Sequence, residues 1–275
     1  MIHEKMPDQK KKKPVDEKEA MMKESLGKIR HKLLVMSGKG GVGKSSLATN
    51  LAVALAEKGF KTGLMDVDLH GPSIAQMMGL SGLLDVSEEK RLIPADGGNN
   101  LGVISMQSLM QDKDQAVIWR GPAKSGMIQQ FITSVEWGTL DFLIIDAPPG
   151  TGDEPLTVVQ SVPDAKAIVV TTPQEVALAD VRKSINFCKT VHLEIAGLVE
   201  NMGPFDCPHC NQRIALFKTG GGQATALATG IAFLGTLPYD AKVVDACDAG
   251  EPIARTDSGF TRDLETVIKN LMDRL

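Results

Sequence analysis

Residues 33–56 read Leu33-Leu34-Val35-Met36-Ser37-Gly38-Lys39-Gly40-Gly41-Val42-Gly43-Lys44-Ser45-Ser46-Leu47-Ala48-Thr49-Asn50-Leu51-Ala52-Val53-Ala54-Leu55-Ala56. An apolar run enters a glycine-rich loop, and a segment of helical spacing leaves it. That strand–loop–helix context is what the phosphate-loop template G-x-x-x-x-G-K-[ST] requires. Glycines let backbone N–H groups curl around a polyphosphate, and the helix N-terminus adds positive potential. Gly38, Lys39, Gly40, Gly41, Val42, Gly43, Lys44, Ser45 and Ser46 therefore form a candidate nucleotide cradle. Lys44 is expected against the β- and γ-phosphates, with the Ser45 hydroxyl turned to Mg²⁺.

Outward from this loop, short apolar runs alternate with helical stretches. Candidate strands cover 62–66, 101–106, 142–146, 167–171, 196–200 and 233–237. Helical spacing fills 123–135 and 178–192 between them. This alternation predicts right-handed βαβ units: a doubly wound α/β fold whose mainly parallel sheet carries helices on both faces. A last helix over 260–275 aligns Phe260, Leu264, Val267, Ile268, Leu271 and Leu275 on one stripe. Its acidic and basic residues balance, so docking on the sheet is expected rather than membrane binding.

The chain has 275 residues, 43% of them hydrophobic, enough for a sizeable core in one domain. Ten Lys/Arg against six Asp/Glu fall in residues 1–32, which leaves the remainder at net −8 in a chain of net −4. Residues 1–28 read as a flexible lysine-rich tail, and 29–275 as the folded domain. An acidic body argues against a nucleic-acid partner. There is no apolar signal core and no run of the roughly 20 apolar residues a membrane span needs. A cytoplasmic protein is expected.

Two further strand ends carry carboxylates. Leu143-Ile144-Ile145-Asp146 suits an aspartate that holds Mg²⁺, and the following Pro148-Pro149-Gly150-Thr151-Gly152 loop suits a γ-phosphate sensor. Asp66-Val67-Asp68 is the second such end. Two carboxylates beside a phosphate need a cation or water between them, although each aspartate could instead cap a helix. Glu200-Asn201-Met202 and Leu237-Pro238-Tyr239-Asp240 end two more strands, and no Asn-Lys-x-Asp string of the guanine-reading type occurs.

The thiols form the other informative element. Cys207-Pro208-His209-Cys210 could be a redox pair, half a zinc site or half an iron–sulfur site. Cys188 lies in a helical segment and Cys247 near a loop, and both are expected to be structural.

The second lysine of the loop is unusual. Lys39-Gly40-Gly41-Val42-Gly43-Lys44-Ser45 resembles the deviant Walker A loop of the Mrp/MinD/ParA class. That likeness implies that Lys39 reaches in trans across a nucleotide-sandwich homodimer. It also implies that Asp68 orients the attacking water, that Asp66 supports the metal shell, and that Asn201 and the Pro238 loop lie against adenine. These loops, with Asp66 to Ser73, Trp119-Arg120-Gly121-Pro122, Asp146 to Asp153 and Asn201…Cys207-Pro208-His209-Cys210, are similar to the Mrp/ApbC family of iron–sulfur cluster carriers over about residues 28–275. The N-terminal cysteine-rich cluster site of some relatives is not expected here, since residues 1–32 hold no cysteine. One bridging cluster per dimer is therefore expected.

The resemblance implies a slow, Mg²⁺-dependent ATPase that is homodimeric, holds a labile [4Fe–4S] cluster between two copies of Cys207 and Cys210, and delivers it to apoproteins. A positioning ATPase like those of the MinD/ParA type, and a zinc-bridged dimeric ATPase, remain open alternatives at this point.

Overall fold

The computed structural model describes residues 22–68, 71–109, 121–207 and 209–275. Strand β1 (Ile29–Ser37) runs into the glycine-rich loop, and helix α1 (Lys44–Glu57) leaves it. There follow β2 (Thr62–Asp66), the short α2 (Ile74–Met77), β3 (Ala95–Asp96), β4 (Leu101–Ser105), α3 (Gly121–Ser134) and β5 (Leu140–Asp146). The chain continues through α4 (Asp153–Ser161), β6 (Lys166–Thr171), α5 (Glu175–Thr190) and β7 (Glu194–Gly203). A hairpin of β8 (Phe205–Asp206) and β9 (Arg213–Ile214) precedes α6 (Gly221–Thr229), β10 (Phe233–Pro238), α7 (Ala241–Asp248) and α8 (Gly259–Met272).

The main sheet has the order β10-β7-β6-β1-β5-β2-β4-β3. Every pair in it is parallel except β3–β4. This is the doubly wound α/β fold expected. Alternation along β1 explains the two layers. Leu33 and Val35 face one side with α1 and α8, whereas Leu34 and Met36 face the other with α3 and α5. A strand buried on both faces must be apolar throughout, which is why these runs read as continuous rather than alternating. The chain first builds outward from β1 to β2 and β4, then returns to β5 and crosses to β6. Ligands of such sheets bind at the carboxyl strand ends beside that crossing point.

Three features differ from expectation. Residues 22–27 are helical, and Leu26 is 5% exposed against the core, so packed structure begins before residue 29. Residues 1–21, the rest of the proposed tail, lie outside the described residues. The antiparallel β3 and the β8–β9 hairpin carry two residues per strand, too few for any periodicity to register. Helices α4, α6 and α7 are eight or nine residues long and lacked a readable apolar stripe.

Helix α8 docks as expected. Phe260, Leu264, Val267, Ile268 and Leu271 are all buried, and the Ser258 side chain caps its first turn by accepting from Thr261 N–H at 3.1 Å. Truncating Leu264, which is fully buried, to alanine is expected to cost about 2–5 kcal/mol in urea unfolding. A loss well under 1 kcal/mol, roughly the size of a surface substitution, would contradict the docked position. No helix among the described residues is long and apolar enough to cross a membrane.

Candidate functional site

Close packing explains the glycines of the loop. A Cβ on Gly38 would lie 2.4 Å from the backbone of Asp180 on α5, and Gly43 adopts φ +82 with Asn201 Nδ2 only 2.1 Å from where its Cβ would be. Gly43 is the N-cap of α1 and supplies no side-chain cap, and no acidic residue occupies the first turn. The first-turn N–H groups and the dipole are thus left for an anionic ligand. A cavity of about 250 Å³ opens there, lined by the loop, Lys44, Ser45, Ser46, Asp68 and Pro149.

Asp66 and Asp146 are register partners at the ends of the adjacent strands β2 and β5. Lys44 Nζ donates to Asp146 Oδ1 at 2.5 Å, and Ser45 Oγ donates to Asp146 Oδ2 at 2.5 Å. Asp66 accepts from the backbone N–H of Asp68, Ser73 and Ile74 and from Ser105 Oγ at 3.0–3.2 Å. Burial and the neighbouring Asp146 push Asp66 up to about 7, against the pull of those N–H groups and Lys44. Burial also raises Asp146, opposed by Lys44. The Ser45 hydroxyl and the Asp146 carboxylate are hard oxygen donors set side by side, a set that fits Mg²⁺. A cation held at Asp146 favours a negative charge on the neighbouring Asp66 as well, so protonating Asp66 weakens the site. Mg²⁺ affinity should therefore rise as pH increases through about 7. Titrations near pH 6 and near pH 8 would check this, and an Asp66→Asn variant should lose the dependence.

Asp68 is 9% exposed and faces the same cavity, and its Oδ1 accepts Gly71 N–H at 3.2 Å. The Asp146–Glu154 loop is tied back by Gly150 N–H donating to Ser37 O at 2.9 Å, and its far end is held by a 2.8 Å ion pair between Lys124 and Glu154. Lys39 is half-buried. Its carbonyl accepts the Ser37 hydroxyl at 2.8 Å, and its ammonium pairs with no carboxylate among the described residues. Leu69, His70, Trp119, Arg120 and Pro208, which belong to motifs singled out above, lie outside the described residues.

A second, narrower cavity of about 80 Å³ adjoins the loop and is lined by Gly43, Ser46, Asn201, Met202, Pro238 and Tyr239, among others. Asn201 Nδ2 donates to Val42 O at 2.9 Å, so β7 is fastened to the phosphate loop. Sequence reasoning missed Glu200. Its buried carboxylate accepts Gly222 N–H at 2.6 Å and Gly220 N–H at 3.3 Å, holding the N-terminus of α6. The signal was an acidic residue at an apolar strand end, followed by Gly220-Gly221-Gly222. That turn packs on Glu200 and Leu178.

The thiol pair occupies the loop of the β8–β9 hairpin, where Cys207 N–H donates to Gln212 O and Asn211 N–H to Cys207 O. All four cysteines are free, with Cys207 half-exposed and Cys210 exposed. The backbone N–H of His209, that of Cys210, and the Cys210 thiol all bond to Cys207 sulfur and hold its pKa below the usual thiol range. Thiolates are the metal-binding form. Among the described residues no group of three or more His, Cys, Asp or Glu could hold a metal, so one chain offers two ligands here. Burial pushes Cys188 up to about 12, its thiol against Met36 Sδ at 3.4 Å. Cys247 is buried beside Ser46, and burial likewise raises it. Both behave as structural cysteines.

A family model described as the NUBPL iron-transfer P-loop NTPase, of the ParA type, matches residues 28–275. The iron–sulfur cluster carrier protein of Methanocaldococcus jannaschii is 42% identical over 265 residues, spanning 96% of this chain and 91% of that protein. The cytosolic Fe–S cluster assembly factor CFD1 of Eremothecium gossypii is 47% identical over 234 residues, 82% of this chain and 83% of that one. Among solved structures, the nucleotide-binding protein of Archaeoglobus fulgidus in complex with ADP superimposes with a TM-score of 0.77 at 38% identity, covering 89% of this chain and 96% of that chain.

Proposed function

Because the chain belongs to the NUBPL/Mrp-type family of iron-transfer P-loop NTPases, we propose that it is an ATP-hydrolysing carrier that binds a labile [4Fe–4S] cluster between two copies of itself and passes it to apoproteins of the cytoplasm. The observation that carries this reading is the incomplete thiol site: two cysteines on an exposed hairpin loop, with no third ligand near them among the described residues. A cubane needs four thiolates, and a second copy across a two-fold axis supplies the other pair.

The nucleotide chemistry follows from the strand ends. The uncapped start of α1 and the loop N–H groups bind the phosphates, with Lys44 leaving Asp146 for the β- and γ-oxygens. Ser45 and Asp146 would hold Mg²⁺, which would supply positive charge beside the transferred phosphoryl group. Asp68 positions the attacking water, and Asp66 fixes the backbone of Asp68, Ser73 and Ile74 by accepting their N–H groups. Lys39 of each protomer crosses to the other's phosphates. Asn201 and the Pro238 loop take the adenine.

Anaerobic reconstitution with iron and sulfide tests the reading. About four irons per dimer are expected, with cluster transfer to an apo-ferredoxin. A protein that stays monomeric with and without nucleotide and takes up no iron would overturn it. Zinc at the same four thiolates, read by metal analysis of protein purified without oxygen, would replace the cargo and leave the dimer.

A further inference from the structure

The narrow cavity beside the phosphate loop and the thiol loop are built on one stretch of chain. Asn201 and Met202 line the cavity, β7 ends at Gly203, Phe205 opens the hairpin, and Cys207 follows two residues later. Tyr239, the sole tyrosine of the chain, also lines the cavity. Its ring packs against Phe205, with centroids 5.6 Å apart at 53°. Its N–H donates to Gly203 O at 2.9 Å.

This junction has little slack. A Cβ on Gly203 would meet Thr236 Cγ2 at 2.3 Å, and Met202 sits in the left-handed region at φ +57. The Asn201 amide is already engaged by Val42 O. At about 80 Å³ the cavity is far below the roughly 300 Å³ at which small-molecule pockets begin. A purine seated fully inside therefore displaces a wall, and the Asn201 amide reaches it by leaving Val42 O. The walls that border the hairpin are Met202 and Tyr239, and Tyr239 bears directly on Phe205.

We propose that Phe205 and Tyr239 are positioning residues, through which a base entering this cavity resets the geometry of the Cys207–Cys210 loop. The inference rests on the reading of the cavity as the base site of the proposed ATPase. It adds that the signal passes within one chain, along the end of β7 and one ring contact, rather than only through closure of a dimer. Tyr239 meets the base as a wall of the cavity and Phe205 acts through Tyr239, and neither touches phosphate or cluster. Closed cores move between discrete packings, so a displaced ring is passed on rather than absorbed.

The test uses metal-free, reduced protein. Iodoacetamide alkylation of Cys207 and Cys210 is timed peptide by peptide, with and without saturating Mg·ADP. Affinity for a fluorescent ADP is measured in parallel. In wild type, nucleotide should change the alkylation rate by about fivefold or more, the lower end of ordinary coupling between sites. Phe205→Leu should abolish that change and leave ADP affinity intact, while Phe205→Tyr should restore it. Tyr239→Leu, read at ADP concentrations that saturate that variant because Tyr239 lines the base cavity, gives an independent arm if Phe205→Leu folds poorly. A wild-type rate indifferent to bound ADP, or a full response in both leucine variants, overturns the proposal. Failure of the fluorescent ADP to bind wild type would instead overturn the nucleotide reading, and this inference with it.

Discussion

Replacing Lys39 by alanine is expected to lower ATP turnover by about 10³–10⁵-fold, the range of an arginine finger supplied in trans, while a single chain still binds nucleotide normally. The argument is one of division of labour between the two lysines of the loop. Lys44 is buried, lies 2.5 Å from Asp146 in its own chain, and serves the phosphates from beneath. Lys39 has its backbone fixed by Ser37, but its ammonium pairs with no carboxylate among the described residues, leaving it available to a partner's phosphates. Steady-state turnover beside fluorescent-ATP binding separates the two effects. Mixing Lys39→Ala chains with Lys44→Ala chains supplies the sharper control. In the mixed dimer the Lys39→Ala chain retains its phosphate loop and receives Lys39 from its partner, so activity should partly return. Turnover near wild type for Lys39→Ala alone, or no recovery on mixing, would argue against action across an interface.

The second large effect is expected at the thiols. A Cys207→Ala/Cys210→Ala double variant should bring cluster loading to background, because it removes all four thiolates of the dimer at once. Either single variant should leave two of the four and a cluster too weakly held to survive gel filtration. Iron and sulfide analysis under anaerobic conditions, with the visible absorption of the cluster, reads the outcome. ATP binding should be untouched in all three. Cys188→Ala is the matched control. Cys188 is fully buried against Met36, so its loss should lower stability by about 1 kcal/mol without changing iron content. A double variant that still bound a full cluster would reject the ligand assignment.

How far the sequence foretells these sites depends on whether the information is local. The phosphate loop was readable because its strand, glycines and helix are contiguous, and its chemistry lies in backbone N–H groups that need only local geometry. Strand 62–66 is buried at every position and 233–237 keeps Leu234 and Leu237 buried, and both were legible as short, mainly apolar runs. The β8–β9 hairpin was not, because two residues per strand carry no period. Glu200 was passed over as a strand-end residue, because its partners Gly220 and Gly222 lie some twenty positions away. The start of packed structure was placed too late, since a lysine-rich composition hid the buried Ser25 and Leu26.

Taken alone, the chain determines the fold class, the phosphate loop, the carboxylates at the strand ends and the presence of only two closely spaced thiols. Only the tertiary structure decides which of these meet. Strand β5 enters between β1 and β2, and that insertion sets Asp146 beside Asp66 and against Lys44, which is 102 positions away in sequence. The pairing of β7 with β6 and β10 brings Asn201 to the phosphate loop and Phe205 to Tyr239. The physical reason is that hydrophobic period records which face a residue buries, a property of neighbours along the chain. Strand order and register arise from the joint packing of distant segments, and no local pattern encodes them.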